Sequence, residues 1–162
     1  MELKTFTMRI EGTDLAARIF FSGTLNEEAY SQMSKLADSL PKTCTFDFGG
    51  VGFINSTGVR DWIKFIRQIQ PGRTLYFENC TDCIIGNINL MPYMLGTAEI
   101  KSVLRNCTCP KCGALDAIRL TAGTDYSKEG FLLSTIPHCR VCQTSISWDM
   151  NDSEYFLFQR PS

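Results

Sequence analysis

The sequence is short of the groups that acid–base and hydrolytic chemistry need. Its 162 residues contain one histidine, His138, and no grouping of His, Asp and Glu marks a catalytic centre. A Gly-rich phosphate loop of the P-loop type is also missing. No stretch approaches the roughly 18 consecutive apolar residues that a membrane-spanning helix requires. An excess of charge is lacking too: 16 basic and 17 acidic side chains leave a formal net charge of −1. That balance gives no electrostatic case for nucleic acid or an anionic membrane as the main partner. Internal repeats and low-complexity segments are absent. The opening residues, MELKTFTMRIEG, carry charges and no apolar h-region, so the expected location is the cytoplasm.

What is present suits one ordinary domain, or a small domain with an appendage. The apolar fraction of 44% can supply a core, and 20% charged residues argue against disorder. Residues 3–10 and 15–21 read as two strands joined through Gly12-Thr13-Asp14. Asn26 is a good N-cap for a helix carrying Ala29, Met33, Leu36 and Leu40 at helical spacing, which Pro41 stops. Residues 44–48, CTFDF, alternate as a strand. From Ser56 to Gln70, Val59, Trp62, Ile63, Ile66 and Ile69 form one apolar stripe, predicting an amphipathic helix with those residues in the core. RTLYFE reads as a strand, DCIIGNINLM as a helix and AEIKSVL as a further strand. Strands alternating with helices after an opening hairpin predict an α/β fold, a mixed sheet with helices packed on it.

After Leu104 the pattern changes. Helical periodicity gives way to short alternating pieces (LDAIRL, FLLSTI, TSISW, EYFLF) between turn residues, predicting a small β-rich module over 105–162 after a first domain over 1–104. This module holds five of the eight cysteines. Cys109-Pro-Lys-Cys112 and Cys139-Arg-Val-Cys142 are two CxxC knuckles. Two such turns aim four thiolates at one centre, the donor set and geometry of a structural Zn²⁺ site in a zinc ribbon. Four protein ligands leave no open coordination position, so the zinc would fold the module rather than catalyse. Disulfides are the alternative, and an oxidising compartment would favour them. Cys107 competes with Cys109 as a ligand, though CPKCG is the better knuckle, and His138 adjoins Cys139. A nucleic-acid-binding ribbon is a minority reading, because its basic residues are offset by acidic ones. A third pair, Cys80-Thr-Asp-Cys83, sits at a predicted helix start, where thiol pKa values fall and a thiol–disulfide redox centre would lie.

The segment FDFGGVGFINSTGVRDWIKFIRQI resembles the central segment of STAS domains, the fold of bacterial anti-sigma factor antagonists and sulfate-transporter tails. That family shows an acidic strand, a loop reaching an apolar F-x-D-S-S/T-G, then an amphipathic helix. SGTLNEEAYSQM resembles its helix entry, with Asn26 in place of Asp, and FENCTDCIIGNINLM its strand into the third helix. The family's order ββαβαβαβα fits residues 1–104 apart from a last helix. The resemblance implies a non-catalytic regulatory or scaffold protein that docks a protein partner, anti-sigma, kinase-like or other signalling protein. Docking would use the loop and helix around residues 53–69, with Asn55, Ser56, Thr57, Asp61 and Phe65 as contacts. Phe65, at the edge of the apolar stripe, is expected to be exposed. In switching members the first serine of the motif is phosphorylated, which carries over to Ser56, with Asn55 where the family usually has Asp. A phosphate there would meet the N-terminal N–H groups and dipole of a helix. Asn55, Ser56 and Thr57 as helix caps, with Gly58 allowing close packing, is the structural alternative.

Overall fold

The computed structural model describes residues 4–128, 130–132, 137–146 and 152–159. Strands β1 (Thr7–Gly12) and β2 (Ala16–Leu25) form the expected hairpin, in antiparallel register from Thr7 opposite Ser22 to Gly12 opposite Ala17. Helix α1 (Glu27–Ser34) starts where Asn26 Oδ1 accepts from the N–H groups of Glu28 and Ala29. The helix ends at Ser34, short of the expected Leu40, and turns carry the chain on to Pro41. Strand β3 (Thr43–Ile54) runs six residues beyond the expected CTFDF. Its Gly49-Gly50-Val51-Gly52 stretch has the composition of a loop. It is nonetheless held in parallel pairing with β2 through two register shifts, so Leu25 lies opposite Ile54.

Helix α2 (Ser56–Ile69), strand β4 (Thr74–Glu78), the two-residue strand β5 (Cys80–Thr81), helix α3 (Asp82–Leu90) and a 3₁₀ turn (Pro92–Met94) follow. The expected strand AEIKSVL divides in two, β6 (Glu99–Ile100) and β7 (Ser102–Thr108). The main sheet has the order β1-β2-β3-β4-β6, parallel except for the β1 edge. Its core is aromatic: Trp62 packs against Phe21, Phe46 and Phe48 with ring centroids 5.8, 5.6 and 5.3 Å apart. The Trp62 indole N–H donates to the Met94 carbonyl at 2.8 Å, so its one polar atom is satisfied in the core. The α/β fold with a mixed sheet and packed helices is therefore observed as expected.

Strand β7 turns through the Cys109 knuckle into β8 (Leu115–Thr121), making a second sheet in the order β5-β7-β8. Short strands β9 (Tyr126–Ser127) and β10 (Gly130–Phe131) pair beyond it. No interruption marks residues 104–105; β7 crosses that point intact. Val103, Leu120 and Tyr126 belong to the same buried cluster as the aromatic residues of the main sheet. A polar network joins the two sheets: Asn79, at φ 50°, donates to Asp47 Oδ2 at 2.7 Å and accepts from Arg119 Nε at 2.8 Å. The EYFLF segment, expected to be extended, instead forms helix α4 (Asp152–Tyr155) and a 3₁₀ turn (Leu157–Gln159). Phe156 stacks on Tyr126, and Asn89 of α3 donates to the Glu154 and Tyr155 carbonyls, so this segment is held by rings and caps rather than by a strand partner. Parts of FLLSTI and TSISW lie outside the described residues. No helix among the described residues is long and apolar enough to cross a membrane.

Candidate functional site

The sequence places Asn55, Ser56, Thr57 and Gly58 where β3 hands over to α2, and the structure gives them distinct tasks. Asn55 is the cap: its Oδ1 accepts from the Gly58 N–H at 2.7 Å. Its Nδ2 donates to Glu27 Oε2 at 3.3 Å, tying the two helix entries together. A carboxylate at position 55 would lose that donor and face another carboxylate, which explains the amide physically. Gly58 is buried, and a Cβ there would lie 2.1 Å from the Leu25 carbonyl oxygen, so only glycine permits the close approach of α2 to β2. Thr57 is half-buried. Ser56 is exposed, and among the described residues its hydroxyl has no hydrogen-bond partner. The cap and the free hydroxyl thus belong to neighbouring residues, with Asn55 capping and Ser56 left open.

A groove of about 560 Å³ begins at Asn55 and Ser56 and follows α2 past Val59, Arg60, Ile63, Lys64 and Arg67, with Asn87 and Met91 on its other wall. Phe65 does not reach it. The expected exposed Phe65 is corrected: it is 1% exposed, against Phe46 and Trp62 in the core. At about 100° per residue, Phe65 lies about 60° from Trp62 around the helix, while Ile63 lies about 100° away and is half-buried at the groove. Asp61 is also turned inward. Its Oδ1 accepts from Arg60 Nε and Lys64 Nζ, both at 3.1 Å. Burial would push the Asp61 carboxyl upward, but those two cations outweigh it and hold the pKa below the ordinary value. Arg60, Lys64 and Arg67 stand at i, i+4 and i+7, and the spacing R-x₃-K-x₂-R in RDWIKFIR is the sequence signal for this basic row.

The four knuckle cysteines come together as expected. The Sγ atoms of Cys109, Cys112, Cys139 and Cys142 all lie within 4.8 Å of one another. Cys109 and Cys142 are 3.5 Å apart, Cys112 and Cys139 3.6 Å, and all eight cysteines are unbridged. Four thiolates about 2.3 Å from a tetrahedral metal ion would be separated by about 3.8 Å, so the donor set fits such an ion. Each knuckle is shaped by its backbone: the Gly113 N–H donates to the Cys109 carbonyl and the Gln143 N–H to the Cys139 carbonyl. The Thr144 hydroxyl, 3.3 Å from Cys142 Sγ, and the Thr144 backbone draw that thiol down to about 6. Cys107 is half-buried beside the cluster, 3.5 Å from the Asp116 carbonyl, outside the four-sulfur group. His138 is paired with Ser145 instead.

Cys80 does open the way into α3, but the helix-start effect does not prevail. The side chain is fully buried, and burial, then the Asp47 carboxylate, push its thiol well up; burial also raises Cys83. A buried thiol held protonated is a poor nucleophile, so the geometry lends a redox role no support.

Neither a family model nor a curated protein matches the chain. Among solved structures, an anti-sigma factor antagonist from Mycobacterium paratuberculosis is similar with a TM-score of 0.51 at 14% identity, over 59% of this chain and 85% of that one. The anti-sigma factor antagonist SpoIIAA in its unphosphorylated form aligns over 58% and 87%, at 16% identity and a TM-score of 0.48. A sulfate transporter family protein from Wolinella succinogenes aligns over 55% and 75%, at 15% identity and 0.46. At such identities the likeness concerns the fold, and that fold is the STAS type expected from the NSTG motif.

Proposed function

We propose that this chain is a non-catalytic STAS-type regulatory or scaffold protein. It binds a protein partner through the loop and helix spanning residues 53–69, and phosphorylation of Ser56 releases that partner. The observation that carries this reading is the division of labour at the start of α2: Asn55 satisfies the cap, so the exposed Ser56 hydroxyl is available for modification at the head of an open groove. A phosphate there adds a charge of about −1.5 to −2 at pH 7 and is stabilised by the helix terminus. It alters the docking surface without disturbing the fold beneath. Asn55, Thr57 and the inward Asp61 contribute by shaping that surface, and Phe65 by supporting it from the core. A structural zinc ion held by Cys109, Cys112, Cys139 and Cys142 completes the second module, cross-linking two knuckles that are distant in sequence.

Affinity capture with the native chain and with Ser56→Ala and Ser56→Asp tests the switch. The same partner is expected with the native chain and the alanine variant and is lost with the aspartate variant. Identical capture by all three overturns it. Metal analysis of protein purified without chelator should return one zinc per chain; a clearly lower ratio removes the structural-zinc assignment.

A further inference from the structure

The groove along α2 carries charge of one sign. Its lining includes Arg60, Lys64 and Arg67 and no acidic residue, although the chain as a whole has a net charge of −1. The groove lining is therefore locally basic in a chain whose charges otherwise balance. Asp61, the one acid on this helix, has a side chain only 9% exposed and holds Arg60 and Lys64 by one oxygen, which orients both cations along the rim. Arg67 extends the row, its guanidinium 5.5 Å from the centre of the Tyr93 ring. Glu27, near the head of the groove, is engaged by Asn55.

The floor is apolar, and Met91 adds apolar surface beside Asn87 on the far wall. Ile63 is half-buried and Met91 is 42% exposed; outside the lining, Leu90 and Tyr93, near Met91 in the chain, are 82% and 69% exposed. Ser56, Arg60, Ile63, Lys64 and Arg67 are spaced i, i+4, i+7, i+8 and i+11, a single helical stripe about three turns, or roughly 17 Å, long. Apart from Ile54 at the end of β3, the lining belongs to α2, α3 and their caps, so an extended peptide would find little ladder to join. An amphipathic helix would find both an apolar floor and a charged rim.

We propose, resting on the docking reading above, that the groove between α2 and α3 receives an acidic amphipathic helix of the partner protein. Its apolar side chains pack on Ile63 and Met91, and its carboxylates meet Arg60, Lys64 and Arg67. Phosphate on Ser56, one turn from Arg60, then competes within the chain for the same cations.

The probe is a labelled 15-residue peptide with leucines along one helical face and glutamates elsewhere, compared with its lysine-for-glutamate counterpart by fluorescence anisotropy on the full chain. The acidic peptide should bind at least about tenfold tighter than the basic one, and its affinity should fall with added salt. Arg67→Glu, which leaves the partners of Asp61 in place, and a triple glutamine variant of Arg60, Lys64 and Arg67 should each weaken it, with unchanged circular dichroism. The proposal is overturned by equal or tighter binding of the basic peptide, by no binding at about 1 mM, or by indifference to both variants. Tighter binding to phosphatidylserine-containing vesicles would overturn it in favour of a membrane surface. In affinity capture, a partner lost on Ile63→Asp but retained by both charge variants would keep the docking reading and reject the acidic helix. Retention by all of these variants would reject docking at this groove.

Discussion

Alanine substitution at Gly58 and at Gly86 is the same chemical change in two helices, and the structure predicts opposite signs. Alanine favours a helix over glycine by roughly 0.5–1 kcal/mol. At Gly86 in α3 nothing lies within 4 Å of a new Cβ, so that gain should be realised. At Gly58 the Cβ would sit 2.1 Å from the Leu25 oxygen, 2.7 Å from the Leu25 carbonyl carbon and 3.1 Å from Ile54 Cγ1. An ordinary carbon–oxygen contact is about 3.3 Å or longer, so the start of α2 must retreat by about 1 Å against backbone. Overpacking of this kind costs roughly 1–3 kcal/mol, and the Asn55 cap on the Gly58 N–H is loosened as well. The net is a loss of about 1–2 kcal/mol. With about 2–4 °C per kcal/mol for a chain of this size, Tm should fall by roughly 2–8 °C for Gly58→Ala and rise by about 1–4 °C for Gly86→Ala. Thermal unfolding followed by circular dichroism checks both. A rise for both variants would refute the close approach of α2 to β2.

Phe65→Ala should cost about 3–5 kcal/mol in urea unfolding, against about 1 kcal/mol for Ile63→Ala; the reverse order would return Phe65 to the surface. Asn55→Ala should cost about 1 kcal/mol through the lost cap, whereas Ser56→Ala should be within about 0.5 kcal/mol of native; equal losses would mean that Ser56 caps after all. Burial raises the Cys80 thiol and the Tyr126 and Tyr155 phenols above their ordinary values of 9.0 and 10.0, with Asp82 reinforcing Tyr155. The folded chain therefore keeps protons that the unfolded chain releases. Stability should be undiminished below about pH 9 and fall as pH rises from there; a urea midpoint unchanged between pH 8.5 and 10.5 would contradict this burial. Chelation should make the four knuckle cysteines newly reactive to a thiol reagent while Cys80 stays unreactive until unfolding, and early labelling of Cys80 would revive a redox role.

What could be read from the sequence was what short-range spacing encodes. Asn26 and Asn55 are legible as caps and each CxxC as a knuckle because these depend on residues two to four apart, and the two matching knuckles imply the four-sulfur group although they are distant in sequence. The extension of β3 through Gly49–Gly52 is not legible, since this stretch is held by pairing of Gly50, Val51 and Phe53 with β2 rather than by its own preference. The exchange of Phe65 and Ile63 is accessible to angular arithmetic, but the place of Phe65 at the edge of the apolar stripe suggests exposure. The β5–β7 pairing, Cys80 opposite Val103, is a long-range contact that local periodicity does not carry. The same holds for the helical return of residues 152–159, where an alternating pattern suggested a strand.

The unbroken course of β7 has a practical consequence for taking the molecule apart. A chain ended at residue 104 would stop in the middle of that strand. It would discard Leu120, Tyr126 and Phe156 from the shared core, and with them Arg119, which meets Asn79. Such a fragment would be an injured protein rather than a minimal one, and its failure to bind anything would say nothing about where a partner docks. Point substitutions in the intact chain are the sound way to separate the two modules.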